Sequence, residues 1–195
     1  PESAEVLPAL AMSDDWVRDA LAGWPVPAQL LEREALLARL VVVLVNASEG
    51  GVAHREIAFL APPEAFRAVE FEDDRFVLDP VSYHRYDGYM DALEAVPPAE
   101  LARFLRRAEP LLVAALAQLG EERAPRELVR GTLARIDALP ELPSRIELVR
   151  PKVLYLYADP ELENLPAFEK QVLRIGPGNL TRLKRYLIDF SRHYF

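Results

Sequence analysis

Residues 98–120 read PAELARFLRRAEPLLVAALAQLG, and their periodicity decides the fold. Leu101, Phe104, Leu105, Ala108, Leu111, Leu112, Ala115, Leu116 and Leu119 recur at three- and four-residue spacing, the pattern of one helix face. Pro98 opens the run and Gly120 closes it, the usual asymmetry of helix ends. Pro110 lies inside the pattern. A proline removes a backbone donor and crowds the preceding turn, so the helix is expected to kink near Arg106.

Downstream, Pro125 starts a second helix through Leu128, Thr132, Leu133, Ile136 and Leu139, closed by Pro140. A last helix begins around Gly176–Asn179 and carries Leu180, Leu183, Leu187, Phe190 and Tyr194 on one side. Between them, Pro143–Lys152 reads as extended, Val153–Tyr157 fits strand or helix, and Asp159-Pro160 and Pro166 start short helices. Upstream, Ser13 or Asp14 is a suitable N-cap for Trp16, Val17, Ala20 and Leu21. Gln29–Asn46 reads as one long helix stopped by Gly50-Gly51. Phe66, Ala68 and Phe71 face Phe76 and Leu78 across the polar turn Glu72-Asp73-Asp74, a small hairpin. Asp79-Pro80 then opens a helix with Tyr83, Tyr86, Met90 and Leu93 in one stripe. The expected fold is mainly α: a single-domain irregular helical bundle with one small β-hairpin. Residues 11–195 form the domain and residues 1–10 a loose tail.

Composition narrows the function classes. The chain has 195 residues, 51% hydrophobic and 28% charged, values of one globular domain with a sizeable core. Apolar runs such as Leu40–Val45 are far short of the roughly 18 residues a spanning helix needs, so no transmembrane segment is expected. The absence of cysteine excludes disulfides, thiol nucleophiles and thiolate metal sites. A net charge of −8 repels a phosphate backbone, so nucleic acid is not an expected partner. The charge is uneven: from Lys170 to Phe195 six basic residues face only Asp189, which gives +5 and leaves −13 for the rest.

The densest cluster of reactive types is Tyr83-His84-Arg85-Tyr86-Asp87-Gly88-Tyr89. On a helix it suits a polar pocket in which Arg85 holds an anion and His84 or a tyrosine moves protons. It equally suits tyrosines that pack their rings while their hydroxyls find partners, the commoner use of such residues. Arg150-Pro151-Lys152 places two cations around a rigid backbone, fit to grip a carboxylate or phosphate or to pair with Asp159 or Glu161. The candidate ligand-binding residues are Tyr83, Arg85, Tyr86, Asp87, Arg150 and Lys152. Gly176-Pro177-Gly178-Asn179 lacks the Walker and Rossmann spacings and reads as a helix start. His54, His84 and His193 are scattered, and Glu72-Asp73-Asp74 lacks the spacing of a calcium loop. No catalytic residue, metal or cofactor is assigned. The basic terminal helix either lies on anionic lipid or packs with its charges toward the acidic body.

Several segments carry a resemblance. They are Leu7-Pro8-x-Leu10-x-x-Ser13-Asp14, Tyr83-x-x-Tyr86-Asp87-x-Tyr89, and Leu148-Val149-Arg150-Pro151-Lys152-Val153-Leu154-Tyr155. Ala158-Asp159-Pro160-x-Leu162-Glu163 and Leu173-Arg174-x-Gly176-Pro177-x-Asn179 complete the set. Together they resemble the proteobacterial domain-of-unknown-function family 3014 along nearly the whole chain, most specifically from Arg150 to Glu163. Gly178 stands where that family is expected to carry an acidic residue. The resemblance implies an envelope protein whose hydrophobic anchor and Pro/Ala-rich linker precede this domain. It thus implies a periplasmic domain tethered to the inner membrane by residues upstream of Pro1. It supplies no activity. The expected function is a non-enzymatic binding or scaffolding domain, with an unknown protein or other envelope component as partner. The alternative is an enzyme, or a receptor for a small ligand or anion, built around the six candidates.

Overall fold

An amphipathic helix is stable only where its apolar stripe meets another element, and the stripe at 98–120 forms the centre of this molecule. A computed structural model describes residues 6–195. Its first helices are α1 (Ser13–Ala20), α2 (Ala28–Leu31), α3 (Leu36–Ser48) and α4 (His54–Ile57). Strands β1 (Ala68–Glu72) and β2 (Arg75–Leu78) precede α5 (Val81–His84), α6 (Asp87–Glu94), α7 (Pro98–Gln118) and α8 (Pro125–Asp137). The remainder comprises β3 (Glu147–Val149), β4 (Leu156–Tyr157), α9 (Pro160–Glu163), α10 (Ala167–Leu173) and α11 (Gly176–Tyr194). The fold is mainly α, as the periodicities predict. Residues 1–5 of the expected tail lie outside the described residues, and Leu7 and Leu10 pack against the core.

The main core lies where α7 meets α3, α8 and α11. Leu112, Ala115 and Leu116 of α7 pack among Leu37 and Val41 of α3, Leu128 of α8, and Tyr186, Phe190 and Tyr194 of α11. Fully burying one such aliphatic or aromatic side chain is worth roughly 1.5–3 kcal/mol. The helix continues unbroken through Pro110, which is exposed. A second cluster joins Ile136 and Leu139 to Leu162, Leu173 and Leu180.

The expected hairpin is present but is half of a larger unit. The sheet is an antiparallel meander in the order β1-β2-β3-β4, with Phe76 opposite Leu148 and Leu148 opposite Tyr157. Phe76, Leu78, Ile146 and Leu148 form the small core beneath it. The extended reading of Pro143–Lys152 thus contains β3, and strand wins over helix at Leu156–Tyr157.

Two expected helices are broken. Gln29–Asn46 divides into α2 and α3, and the cause is a contact distant in sequence. Asp14 does not cap its own helix, whose N-cap position falls on Met12 without a side-chain bond. Instead its carboxylate accepts the N–H of Ala35 (2.7 Å) and of Leu36 (2.8 Å), so it caps α3 from another helix. Arg18 adds bonds to the carbonyls of Leu31 and Arg33. Ala35 pays for this turn with a left-handed backbone, φ 56°. Ala35→Gly is therefore expected to stabilise the protein by about 1 kcal/mol through relief of that strain. Asp14→Ala is expected to cost about 1–2 kcal/mol through loss of the cap. Urea denaturation of both variants checks the pair of opposite signs. The second break separates α5 from α6 at Arg85 and Tyr86, because side chains take the carbonyls there. Arg85 Nε binds the Ser82 carbonyl (2.8 Å), and Asn179 reaches that of Tyr83 (3.4 Å).

Candidate functional site

The start of α5 is set by Asp79, whose carboxylate accepts the Val81 N–H at 3.0 Å. One turn on, the Tyr83 ring lies against Gly176, where φ +85° turns α10 into α11. Burial, with a smaller contribution from Tyr157, pushes the Tyr83 phenol up to about 12, so it stays a neutral packing group at physiological pH. From the first turn of α11 the buried Asn179 donates to Asp87 at 2.8 Å, and the other Asp87 oxygen meets His84 Nδ1 at 2.8 Å. Asn179 also accepts a bond from Arg182, whose guanidinium pairs with Asp91 (2.5 Å) and Glu94 (2.7 Å). The result is one polar chain, His84–Asp87–Asn179–Arg182–Glu94, that ties α5 and α6 to α11.

Hydrogen bonds from Asn179 and then His84 hold the Asp87 carboxyl below its usual range. A depressed carboxylate contributes stability above its unfolded pKa and loses it as pH falls through the folded value. Asp87→Asn is therefore expected to lose less stability than wild type between about pH 5 and about pH 2, as followed by acid titration of the helical circular dichroism. Equal losses would show that the bonds to Asp87 do not link folding to protons.

A histidine held by a carboxylate is the geometry of a general base, but His84 is 72% exposed. Two grooves of about 560 and 520 Å3 mark the surface, and none of the six sequence candidates lines either one. The structure brings Tyr83 and Asp87 together around Asn179. Tyr86 stands at the start of α6 with its ring 6.3 Å from that of Tyr89. Arg85 lies over the rings of Tyr86 (5.4 Å) and Phe66 (5.5 Å) and donates to the Glu64 carbonyl. Arg150 does not pair with Asp159 or Glu161. Its guanidinium lies over Phe76 (5.0 Å) and Tyr155 (5.5 Å), and Asp159 caps α9 by accepting the Glu161 N–H. The rings of Phe66 and Tyr155 meet at 5.5 Å, so Arg85 and Arg150 stack on one aromatic layer. Lys152 is exposed, as are the neighbouring Val153 and Leu154. In this meander the acidic β1–β2 turn lies at the same end of the sheet as that loop. Among the described residues no three histidines or carboxylates gather as a metal site requires.

The larger groove runs between α8 and α11. Its floor is Leu133, Ala134, Ile136, Leu187, Ile188 and Phe195. Arg130, Lys184 and Arg192 stand around it, with Asp137 as the carboxylate in the lining. Lys184 binds the carbonyls of Asp137 and Leu139 at the end of α8 (2.9 Å each), and elsewhere on α11 Arg182 and Arg185 pair with Glu94. No helix among the described residues is long and apolar enough to cross a membrane.

A family model described as "Protein of unknown function (DUF3014)" matches residues 36–191. The chain belongs to that family. No curated protein and no solved structure matches it. The DUF3014 match spans α3 to α11 and so includes the polar chain, the aromatic layer and most of the groove.

Within this DUF3014 chain, sequence reading found the Tyr83–Tyr89 stretch but missed its partners. Gly176 and Asn179 read only as a helix start, although their real role is to receive Tyr83 and Asp87. The groove was also missed. Ile188 and Phe195 fall off the apolar stripe of α11, and large apolar residues off the buried stripe were the signal that a second surface exists.

Proposed function

We propose that this chain is a non-enzymatic binding domain that holds a partner in the groove between α8 and α11, and that it forms the periplasmic part of a membrane-anchored protein. The observation that carries the reading is the division of labour among its residues. The polar groups that resemble catalytic machinery are consumed in bracing helices, while the apolar groove leaves Ile188 half exposed. A concave apolar surface with a few convergent charges is the ordinary form of a binding site. The periplasmic placement rests on the family resemblance alone.

Photocrosslinking in the native cell tests the site. A photoreactive phenylalanine analogue replaces either Ile188 in the groove or Val113 on α7, which are equally exposed at 50%. Adducts at position 188 and none at 113 are the expected result, with folded protein in both cases because neither side chain is buried. Equal labelling, or none at either position, removes the groove from the account. For the compartment, alkaline phosphatase fused after Phe195 of the full gene product is expected to be active, and an inactive fusion refutes it.

A receptor for a small anion is the second reading. Its support is that neither Arg150 nor Lys152 has a carboxylate partner among the described residues. Inorganic phosphate is then expected to raise the melting temperature of the wild type and not of an Arg150→Ala/Lys152→Ala variant. No difference between the two refutes it.

A further inference from the structure

We propose that the occupant of the α8/α11 groove is an acidic amphipathic helix of two to three turns, contributed by a partner protein; this rests on the binding reading above and names its ligand. The walls themselves carry the argument. On α11 and its C-cap the lining residues are Lys184, Leu187, Ile188, Ser191, Arg192 and Phe195, a succession of one-, three- and four-residue steps. On α8 they are Arg130, Leu133, Ala134, Ile136 and Asp137, of which Ile136 is also buried in the second core cluster. Each helix therefore shows the trough a second face that merges with the core at Leu133, Ile136 and Leu187, beside the one it buries, where α8 commits Leu128 and Val129 and α11 commits Leu180, Tyr186, Phe190 and Tyr194. Two helical stripes side by side, with a trough between, form the seat into which a third helix packs ridge into groove.

Dimensions and side-chain size agree with that occupant. At about 1.5 Å per residue the α8 wall is roughly 10 Å long and the α11 wall roughly 16 Å, the length of two to three helical turns. The trough's lining alternates the large Leu133, Leu187 and Phe195 with the small Ala134 and Ser191, at which another backbone can approach closely.

Charge then selects the partner. Arg130 lies over the Phe195 ring at 4.7 Å and has no carboxylate partner among the described residues. Lys184 donates to two backbone carbonyls at the end of α8 and has no carboxylate partner among the described residues. Arg192 pairs with Asp189 on the exposed side. Three cations, one of them paired with Asp189, thus flank the trough against Asp137, in a protein whose total charge is −8. A complementary helix presents apolar residues at i, i+3, i+4 and i+7 to the floor and carboxylates on both flanks.

The test is a titration of the isotopically labelled domain with a synthetic helical peptide of about fifteen residues, leucine at i, i+3, i+4 and i+7 and glutamate on the flanks. A lysine-flanked peptide and a scrambled glutamate peptide are the controls. Saturable amide shifts within 130–137 and 184–195 are expected for the glutamate peptide alone. Ile188→Glu and Arg130→Glu, both at exposed positions, are each expected to weaken it about tenfold or more, with the rest of the spectrum unchanged. Arg130→Glu should strengthen the lysine peptide. Equal binding of the scrambled or lysine peptide overturns the proposal, as does the absence of saturable shifts. Sodium oleate filling the groove where the peptide does not assigns it to an acyl chain, and a dimer abolished by Ile188→Glu assigns it to a second copy; either result overturns the helix. Crosslinks at position 188 without peptide binding refute this occupant and leave the groove as a binding site, whereas the absence of both refutes the binding reading itself.

Discussion

Gly176→Ala is expected to destabilise the protein by roughly 3–5 kcal/mol, the sum of a left-handed backbone penalty and an overpacked contact. The backbone at Gly176 has φ +85°, which an L side chain adopts only under strain. A Cβ built there falls 2.3 Å from Tyr83 Cγ and 2.5 Å from Cδ1, where no rotamer change of a methyl group relieves the clash. The Tyr83 ring must leave its place, and the bonds by which Asn179 holds Asp87 and the Tyr83 carbonyl go with it. In a chain of this size the loss corresponds to a fall in melting temperature of roughly 10 °C. The double variant Gly176→Ala/Tyr83→Ala separates the two causes. Removal of the ring relieves the clash but not the backbone strain, so the two changes are expected to be clearly non-additive. Strict additivity in urea denaturation would mean that ring and glycine are not in contact.

The second large effect is expected at Arg135. Its guanidinium meets Glu169 at 2.5 Å and the Ser48 carbonyl at 2.9 Å, joining the end of α3 to α8 and α10. Glu169 is only 7% exposed, and its other carboxylate oxygen is buried without a hydrogen-bond partner among the described residues. Arg135→Met leaves that carboxylate uncompensated and is expected to cost about 3–5 kcal/mol. Arg135→Met/Glu169→Leu removes both charges and is expected to recover most of the loss, because a buried pair is often replaceable by apolar groups of similar volume. A double variant as unstable as the single one would show that the arginine acts through its bond to Ser48.

These sites show where the sequence was legible. The helices α7, α8 and α11 follow from leucine spacing bounded by proline and glycine, since both signals are local. The hairpin follows from alternation around an acidic turn. The helix read over Gln29–Asn46 was divided by Asp14, a carboxylate from another helix, and no property of residues 29–46 announces that bond. The pairing of β2 with β3 was equally invisible, because each strand is short and the partner is far along the chain. At the candidate site, Tyr83 and Asp87 were correctly seen as neighbours. Their tie to Gly176 and Asn179 exists only in three dimensions, where it joins α5 and α6 to α11.

The division of the sheet has a temporal consequence. Residues 79–146 lie between β2 and β3, so during synthesis at roughly 5–20 residues per second the first hairpin waits several seconds for its mate. Throughout that interval Phe76 and Leu78 have no Leu148 or Ile146 to cover them. The helices of the intervening segment must close a long loop before the meander is complete, which makes the sheet the late-forming part of the fold. A newborn chain halted near Pro140 would present an open, greasy strand edge to its neighbours on the polysome.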